Sequence, residues 1–363
     1  MKQIITSLFF LLLSLTASAQ NGEYVGGDIS ILPLYEEHNS GYLDTGGKKI
    51  DNLISWFISE CGWNSFRVRL FVDPKEKNQK GETDHCVCQD IDFVKKLGKR
   101  IKDAGAYFVL DIHYSDTWAD PSYQILPASW SDCTTAAMKA DKVYSYTKEV
   151  LQTLKDAGAK PDFVQVGNET TYGMVGIKVS PYDDKSSDWT GLTKVFSSGC
   201  KAVREVCPEA KIIIHTERSG IPGQTAYYYN KLKEANVDYD IIGLSYYPFY
   251  HDGLSTLSST IDRLAAQFPD KKVQIMETSY PVQYYPGDKQ YDLQSTWASS
   301  ADGQYKFTKD LIDLLKKHKN VNALYWWQPE EAGNGDDSDW KTGPGATVMN
   351  GWMTRGMWWC DIK

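Results

Sequence analysis

Two glutamates in this 363-residue chain, Glu169 and Glu277, each follow a short apolar segment and lie 108 positions apart (277 minus 169). A protonated and an ionised carboxyl group can together cleave a glycosidic bond. The first protonates the leaving oxygen, and the second attacks the anomeric carbon or activates water. Carboxyl groups about 5–5.5 Å apart give retention of configuration, and about 6.5–9.5 Å gives inversion. A lone glutamate is usually a surface residue, so this interpretation requires that the pair meet in the fold.

Polar side chains end each of eight short apolar segments that we interpret as strands. These residues are Asp28, Arg67, Arg69, Asp111, His113, Asn168, Glu169, His215, Tyr246, Tyr247, Glu277, Trp327 and Gln328. In a barrel of parallel strands, the carboxyl ends of the strands surround the active site. The pattern therefore predicts that these side chains, and Trp118 just beyond the third strand, meet at one mouth.

The residues expected near Glu277 suit an ionised nucleophile. Arg67 and Arg69 are two residues apart and therefore lie on one face of a strand. Either guanidinium would lower the pKa of a neighbouring carboxyl group. Tyr246 or Tyr247 would donate a hydrogen bond to it. We therefore assign the ionised role to Glu277.

Glu169 must instead hold a proton near neutral pH, which requires apolar or negatively charged surroundings. Loss of the negative charge of Glu277 on forming a sugar ester would let Glu169 change from acid to base. Asn168 would bind the sugar 2-hydroxyl group, a contact that strengthens at the transition state. His113 would tune either carboxyl group or serve only as a structural residue.

The elements that must position these residues follow from hydrophobic periodicity. The predicted strands are Tyr24–Ile29, Phe66–Leu70, Tyr107–Ile112, Phe163–Val166, Lys211–His215, Ile241–Ser245, Lys272–Met276 and Ala323–Trp327. Predicted helices between them include Ile91–Ala104, Asp141–Ala157 and Tyr305–Lys319. Eight alternating strand–helix units favour a single α/β domain, a (β/α)8 TIM barrel. A doubly wound open sheet is less favoured, because no Gly-x-Gly-x-x-Gly turn follows the first strand.

The amino terminus and the overall composition limit where the protein works and what it binds. Lys2, an apolar run and Ala17-Ser18-Ala19 predict a signal peptide over residues 1–19 and a catalytic domain over residues 20–363. A signal peptide predicts export but does not distinguish between the periplasm, the cell surface and the medium as the final location. The net charge of −8 disfavours nucleic acid and anionic membranes as partners but suits a neutral polymer. The 12 Trp and 23 Tyr residues offer flat faces on which sugars stack. A monomer is the default expectation.

Six segments resemble the family-53 glycoside hydrolases, the endo-β-1,4-galactanases. They are FRVRLFVDP (66–74), DIHYSDTWADP (111–121), VQVGNE (164–169), GLSYYPFY (243–250), METSYP (276–281) and YWWQP (325–329). The resemblance spans strands 2 to 8 and implies retaining hydrolysis of β-1,4-galactan, including type I arabinogalactan. It implies Glu169 as acid/base and Glu277 as nucleophile, with no cofactor needed for catalysis. The subsite residues that it implies are Arg67, Arg69, Asp111, His113, Trp118, Asn168, Tyr247 and Trp327.

Two departures from the family pattern concern charged groups. Gln328 stands where family members often have Glu, so one expected carboxylate is a neutral amide. Bacterial relatives bind calcium after strand 7 through an Asp-x-His-x-Asn type segment, and here that loop reads DKQYD (288–292), without the His. Asp288 and Asp292 would still suit a structural calcium ion, and a solvated loop is the alternative. The acidic run 336–339 is a weaker candidate.

Two other functions remain open at this point. A barrel with the same two carboxyl groups would also fit a retaining glycosidase of mannan, xylan or glucan, because one fold hosts many specificities. A non-catalytic carbohydrate-binding barrel is the second alternative. Loss of the carboxyl groups would mark such a protein, and both are present.

Overall fold

Eight parallel strands close into a barrel in the computed structural model of the protein, which describes residues 22–37, 41–44, 46–283, 285–331 and 356–357. The strands, numbered β1 to β8, are Tyr24–Asp28, Ser65–Leu70, Tyr107–Ile112, Phe163–Val166, Lys211–Thr216, Ile241–Tyr246, Lys272–Thr278 and Val321–Trp327. β1 pairs with both β2 and β8, which closes the ring. The predicted TIM barrel is therefore confirmed. The predicted signal peptide and the acidic run 336–339 lie outside the described residues.

Helices cover the outside of the barrel. They are α1 Leu32–Glu37, α2 Leu53–Cys61, α3 Ile91–Asp103, α4 Ala136–Asp156, α5 Trp189–Val206, α6 Pro222–Glu234, α7 Pro248–His251, α8 Leu254–Gln267 and α9 Ala301–Leu315. Two short antiparallel ribbons join Tyr42–Leu43 to Lys49–Ile50 and Gly173–Met174 to Ile177–Lys178. Within the described ranges, no helix is both long and apolar enough to cross a bilayer.

Side-chain caps set where several helices begin. The Thr135 hydroxyl accepts a hydrogen bond from the Met138 N–H and starts α4, and Ser300 caps α9 through the Gly303 N–H. Each cap satisfies one of the N–H groups that lack a partner in the first turn. The predicted starts of these helices at residues 141 and 305 were wrong. The predictions relied on apolar periodicity, which the first turns of both helices lack.

The barrel interior is apolar at the amino ends of the strands and polar at their carboxyl ends. Its apolar layer consists of Val109, Phe163, Ile213, Ile241, Met276, Ala323 and Tyr325. Strand β2 shows the change of character along one face. The hydroxyl groups of Ser65 and Tyr325 lie 2.9 Å apart in the interior, whereas Arg67, two residues further, contacts carboxylates. The packed lower layer leaves the upper layer free for chemistry.

Gly26 in β1 permits the close approach that closes the barrel. A Cβ atom at this position would collide with the backbone carbonyl of Ser65 in β2. The pairing of Gly26 with Ser65 sets the register that places Asp28 opposite Arg67. Glycine is therefore required here by space, and its absence of a side chain helps to position Asp28 in the site.

The segment after β8 carries a carboxyl group, Glu330, into the interior. Its Oε1 accepts a hydrogen bond from the Ile31 N–H at 3.0 Å, while its Oε2 meets no donor in the described part of the chain. Burial and the neighbouring Asp28 raise the pKa of Glu330 to about 8. The folded protein therefore keeps this proton at pH values at which the unfolded chain, with a pKa of about 4.3, has lost it.

Glu330→Gln is expected to change how stability depends on pH. The raised pKa contributes stability that is complete below about pH 4.3 and is lost as pH rises through about 8. Glutamine cannot ionise and keeps an oxygen for the Ile31 N–H. The variant should therefore gain stability relative to the parent protein between pH 5 and 8.5, by ~1.4 kcal/mol per pH unit at most. Denaturant unfolding of both proteins at several pH values measures this, and a pH-independent difference would show that Glu330 ionises normally.

Candidate active site

A groove with a volume of about 610 Å³ opens at the carboxyl ends of the strands, within the size range of small-ligand sites. Residues in or after all eight strands line it. They include Asp28, Arg67, Arg69, His113, Trp118, Asn168, Glu169, Glu217, Tyr247, Glu277 and Trp327. The structure thus brings together every residue predicted to form the catalytic pair and its subsites except Asp111.

Glu169 and Glu277 face each other across the groove. Glu169 directly follows the Gly167-Asn168 turn after β4, and Glu277 is in β7. An oxygen of one carboxyl group lies within 4.8 Å of an oxygen of the other. Two carboxyl groups this close can act together on one glycosidic bond.

Glu277 is held by one cation and one phenol. Its Oε1 lies 3.0 Å from an Nη atom of Arg67, and its Oε2 accepts a hydrogen bond from the Tyr247 hydroxyl at 2.9 Å. Burial raises the pKa of Glu277, and Arg67 and Tyr247 only partly offset this. The predicted partners are present and Arg67 lowers the pKa of Glu277 as expected, but desolvation of the buried carboxylate outweighs that effect.

Arg67 is the centre of the polar network. Its Nη1 donates to Asp28 at 2.9 Å. Its Nη2 donates to Asp111 at 2.7 Å and to Asn168 Oδ1 at 2.9 Å, besides contacting Glu277. Burial opposes the charge of Arg67, but these carboxylates raise its pKa further. A planar guanidinium with fixed donor directions therefore orients Glu277 relative to Asn168.

Asp111 lies behind the groove and supports Arg67. It is fully buried and is not among the lining residues. Its oxygens are taken by Arg67, by the His113 Nε2 at 3.0 Å and by the Gln165 side chain at 2.5 Å. Asp111 therefore does not line the groove itself and acts on the predicted subsites through Arg67 and His113. His113 likewise contacts Asp111 rather than either glutamate.

Glu169 has the backbone and surroundings of a strained, proton-holding group. Its φ of 43° and ψ of 50° place it in the left-handed region, which is costly for a residue other than glycine and typical of functional sites. Burial raises its pKa well above the usual value, and the nearby Glu277 and Glu217 raise it further. Because the acidic neighbours of Glu169 add to the effect of burial, whereas Arg67 offsets part of it at Glu277, Glu169 is the member of the pair that keeps its proton to higher pH.

Several site residues escaped prediction. Glu217, just after β5, lines the groove and pairs with Arg218 at 3.0 Å. The Ser245 hydroxyl group in β6 lies 2.6 Å from Glu169 Oε1, next to an irregularity in the β6–β7 register. Gln165 clamps Asp111. The rule that strand ends carry site residues applies to Ser245 and Glu217 and could have found both.

Aromatic faces form one wall of the groove. The rings of Trp118 and Trp327 lie 6.4 Å apart, and Trp327 lies 6.3 Å from Tyr247. The Arg69 guanidinium stacks over Trp118 at 4.3 Å, and the Trp118 indole donates to Asp84 at 2.7 Å. These contacts fix the orientation of Trp118. Arg69 therefore positions an aromatic residue, whereas Arg67 contacts the nucleophile candidate.

The two aspartates predicted to bind calcium are engaged with protein groups. Asp288 lines the groove and accepts a hydrogen bond from the Tyr250 hydroxyl at 2.6 Å. Asp292 accepts from the Gln294 backbone at 3.1 Å. Among the described residues, no third carboxyl group or imidazole joins them in a cluster with metal-ligand spacing. A calcium ion in this loop stays a prediction.

The sequence matches the model of Glycosyl hydrolase family 53 over residues 24–354. It is 31% identical over 311 residues to the endo-beta-1,4-galactanase of Bacillus subtilis (strain 168), covering 84% of this chain and 69% of that protein. The arabinogalactan endo-beta-1,4-galactanase A of Aspergillus niger is 30% identical, covering 84% and 85%. The solved Ignisphaera aggregans GH53 catalytic domain superposes with a TM-score of 0.76 at 26% identity, covering 91% and 90%. The chain therefore belongs to glycosyl hydrolase family 53.

Proposed function

We propose that this protein is a retaining endo-β-1,4-galactanase that hydrolyses galactan and type I arabinogalactan. The observation that carries the proposal is the carboxyl pair, whose oxygens approach within 4.8 Å at the mouth of the barrel. Relatives named as endo-beta-1,4-galactanases support the substrate. The close approach supports retention, since an inverting enzyme must fit a water molecule between sugar and base.

In the first step, an oxygen of Glu277 attacks the anomeric carbon as the glycosidic bond breaks. Glu169 gives its proton to the departing sugar oxygen, so that the leaving group departs as a neutral alcohol. The product is an ester between Glu277 and the galactosyl unit. Arg67, 3.0 Å from Glu277, keeps the carboxylate in the orientation needed for attack.

In the second step, the roles of the two residues change. The ester has no negative charge, so one of the influences that raise the pKa of Glu169 is gone. The carboxylate of Glu169 takes a proton from water, whose oxygen attacks the anomeric carbon and releases Glu277. Two displacements return the original configuration, and Glu169 regains its proton.

The groove and the charge of the chain suit a neutral polysaccharide. Trp118 and Trp327 line the groove beside the reacting pair, and sugar rings have apolar C–H faces that pack on aromatic side chains. The predicted signal peptide would bring the enzyme to polymers outside the cell, in the periplasm, on the surface or in the medium. No cofactor takes part in either step, and the monomer is the proposed working form.

A panel of polysaccharides tests the substrate. We expect reducing ends to appear faster from β-1,4-galactan than from mannan, xylan or β-glucan, with oligosaccharides of several lengths released early, as endo cleavage requires. Faster release from another polymer would leave the glycosidase chemistry intact but overturn the galactan assignment. Binding of galactan without any cleavage would show a carbohydrate-binding protein instead.

A further inference from the structure

The Ser245 hydroxyl group lies between two buried groups that compete for its single hydrogen. Its Oγ is 2.6 Å from Glu169 Oε1 and 2.9 Å from His215 Nε2. Ser245 and His215 are both fully buried, and the steps described above use neither. A serine hydroxyl donates only one hydrogen bond. The direction of that bond therefore decides whether Glu169 receives a hydrogen from Ser245 or supplies one.

Arg67 fixes the direction of this chain from its other end. A guanidinium only donates, so Asn168 Oδ1, 2.9 Å from Arg67, is an acceptor. The Asn168 amide nitrogen donates to the Ala119 carbonyl at 2.8 Å, which confirms the orientation of the amide. A hydrogen bond between His215 Nδ1 and the same Oδ1, 3.0 Å away, then requires the hydrogen to be on Nδ1. Burial and Arg67 lower the pKa of His215 well below its usual value, so Nε2 has a free lone pair.

We propose that Ser245 accepts a hydrogen bond from the carboxyl group of Glu169 and donates its own hydrogen to His215, so that these two positioning residues hold the proton of Glu169 in the resting enzyme. The proposal rests on the acid–base role of Glu169 and extends it. A glycosidic oxygen entering the groove would compete with Ser245 for that proton. The opposite direction would need the proton of His215 on Nε2, with Nδ1 accepting from the Glu169 backbone N–H at 3.4 Å and facing Asn168 Oδ1.

Ionisation of Glu169 strands an acceptor in this chain. If Ser245 donates its hydrogen to the carboxylate of Glu169, the buried Nε2 of His215 loses its hydrogen-bond donor. If Ser245 keeps donating to His215, the carboxylate of Glu169 faces a lone pair of the Ser245 oxygen. Either outcome costs free energy, because buried acceptors need partners. The other ionisable groups that face Glu169 are Glu277, Glu217 and Asp120, and those that face His215 are Arg67, Asp111 and His113. These groups remain in a Ser245 variant, so a change in pH dependence reports the chain itself.

The tautomer of His215 tests the proposal directly. In the full-length protein labelled with 15N-histidine, six imidazoles give signals, and the signal lost in His215→Gln identifies His215. We expect its proton on Nδ1 at pH values at which Glu169 is protonated. His113 is an internal reference, because its Nδ1 accepts from the Ala119 N–H at 3.0 Å, which places its proton on Nε2. A proton on Nε2 of His215 would overturn the proposal.

Ser245→Ala gives a second test with opposite signs for the two directions. We expect the basic limb of the pH profile of kcat/KM to move to lower pH by about one pH unit. Without Ser245, ionisation of Glu169 no longer costs His215 its hydrogen-bond donor, so the protonated form of Glu169 loses that advantage. An unmoved limb, or one at higher pH, would overturn the proposal, because it would mean that Ser245 does not favour the protonated form. The tautomer of His215 is measured without substrate, so a negative result there is distinguishable from a failure to hydrolyse galactan. If the enzyme hydrolyses galactan with retention but His215 carries its proton on Nε2, the proposed function holds and the proposed role of Ser245 and His215 is wrong.

Discussion

Replacing Glu277 by alanine is expected to lower kcat on β-1,4-galactan by about 10⁴-fold or more, as for other residues that act in a concerted catalytic unit. The reason is geometric as well as chemical. Glu277 places a carboxyl oxygen within 4.8 Å of one of Glu169, and alanine has no group that can attack the anomeric carbon. Initial rates of reducing-end release measure the loss.

The fold of this variant should be retained. Glu277 is a buried carboxyl group with a raised pKa, and Arg67 keeps Asp28 and Asp111 as partners in its absence. Binding of galacto-oligosaccharides and the thermal transition should therefore stay close to those of the parent. Glu209→Ala, which removes an exposed carboxylate paired with Lys160, is the matched control and should keep full activity. Turnover near the parent level in Glu277→Ala would remove Glu277 from the mechanism.

Replacing Glu169 by alanine is expected to give a loss that depends on the leaving group. On galactan, whose leaving alcohol needs a proton, we expect kcat/KM to fall by about 10²–10⁴-fold, the usual contribution of a general acid. On an aryl β-galactoside with a weakly basic phenolate leaving group, the first step needs no proton and should proceed at close to the parent rate. The ester with Glu277 then accumulates, because no base activates water.

Addition of azide distinguishes a general acid–base role of Glu169 from a purely structural one. An anionic nucleophile needs no general base, so azide should restore turnover of the aryl substrate in Glu169→Ala and yield the β-galactosyl azide. Glu277→Ala should not respond in this way, because it forms no ester. An equal loss on galactan and on the aryl substrate, with no effect of azide, would show that Glu169 only supports the structure of the groove.

The sequence was sufficient for the barrel because burial on both faces leaves parallel strands as continuous apolar runs. All eight strands lie within two residues of their predicted bounds. Helix starts were harder, since they depend on caps such as Thr135 and Ser300 rather than on periodicity. The existence of each element follows from its hydrophobic face, whereas its first residue follows from local hydrogen bonds.

In the site, too, the sequence predicts where a side chain lies but not which group it contacts. Strand-end polarity placed Arg67 and Arg69 at one mouth, but only the three-dimensional arrangement shows that Arg67 reaches Glu277 while Arg69 stacks on Trp118. Tyr247, not Tyr246, donates to Glu277, because the Tyr246 hydroxyl is used by the Asp252 carbonyl. Adjacent residues on a strand point in opposite directions, so a prediction that names either neighbour requires the exact register.

The pKa values could not be predicted from residue types alone. Arg67 lowers the pKa of Glu277, as its position in the sequence suggested, but burial raises that pKa by more. Arg67 is shared among three carboxylates, which limits its effect on any one of them. The two pKa values differ in the expected sense only when both environments are compared. Acidic neighbours add to burial at Glu169, whereas Arg67 offsets part of the effect of burial at Glu277. Desolvation depends on how completely the fold covers a group, which a linear sequence does not specify.

The anomeric form of the first product tests the central claim most directly. Proton NMR during the first minutes of galactan hydrolysis, before mutarotation, distinguishes new reducing ends in the α and β forms. Double displacement through a Glu277 ester predicts that the β anomer appears first and the α anomer grows in later. The α anomer appearing first would mean direct attack by water, which contradicts the assignment of Glu277 as nucleophile and of the close Glu169–Glu277 pair as a retaining site.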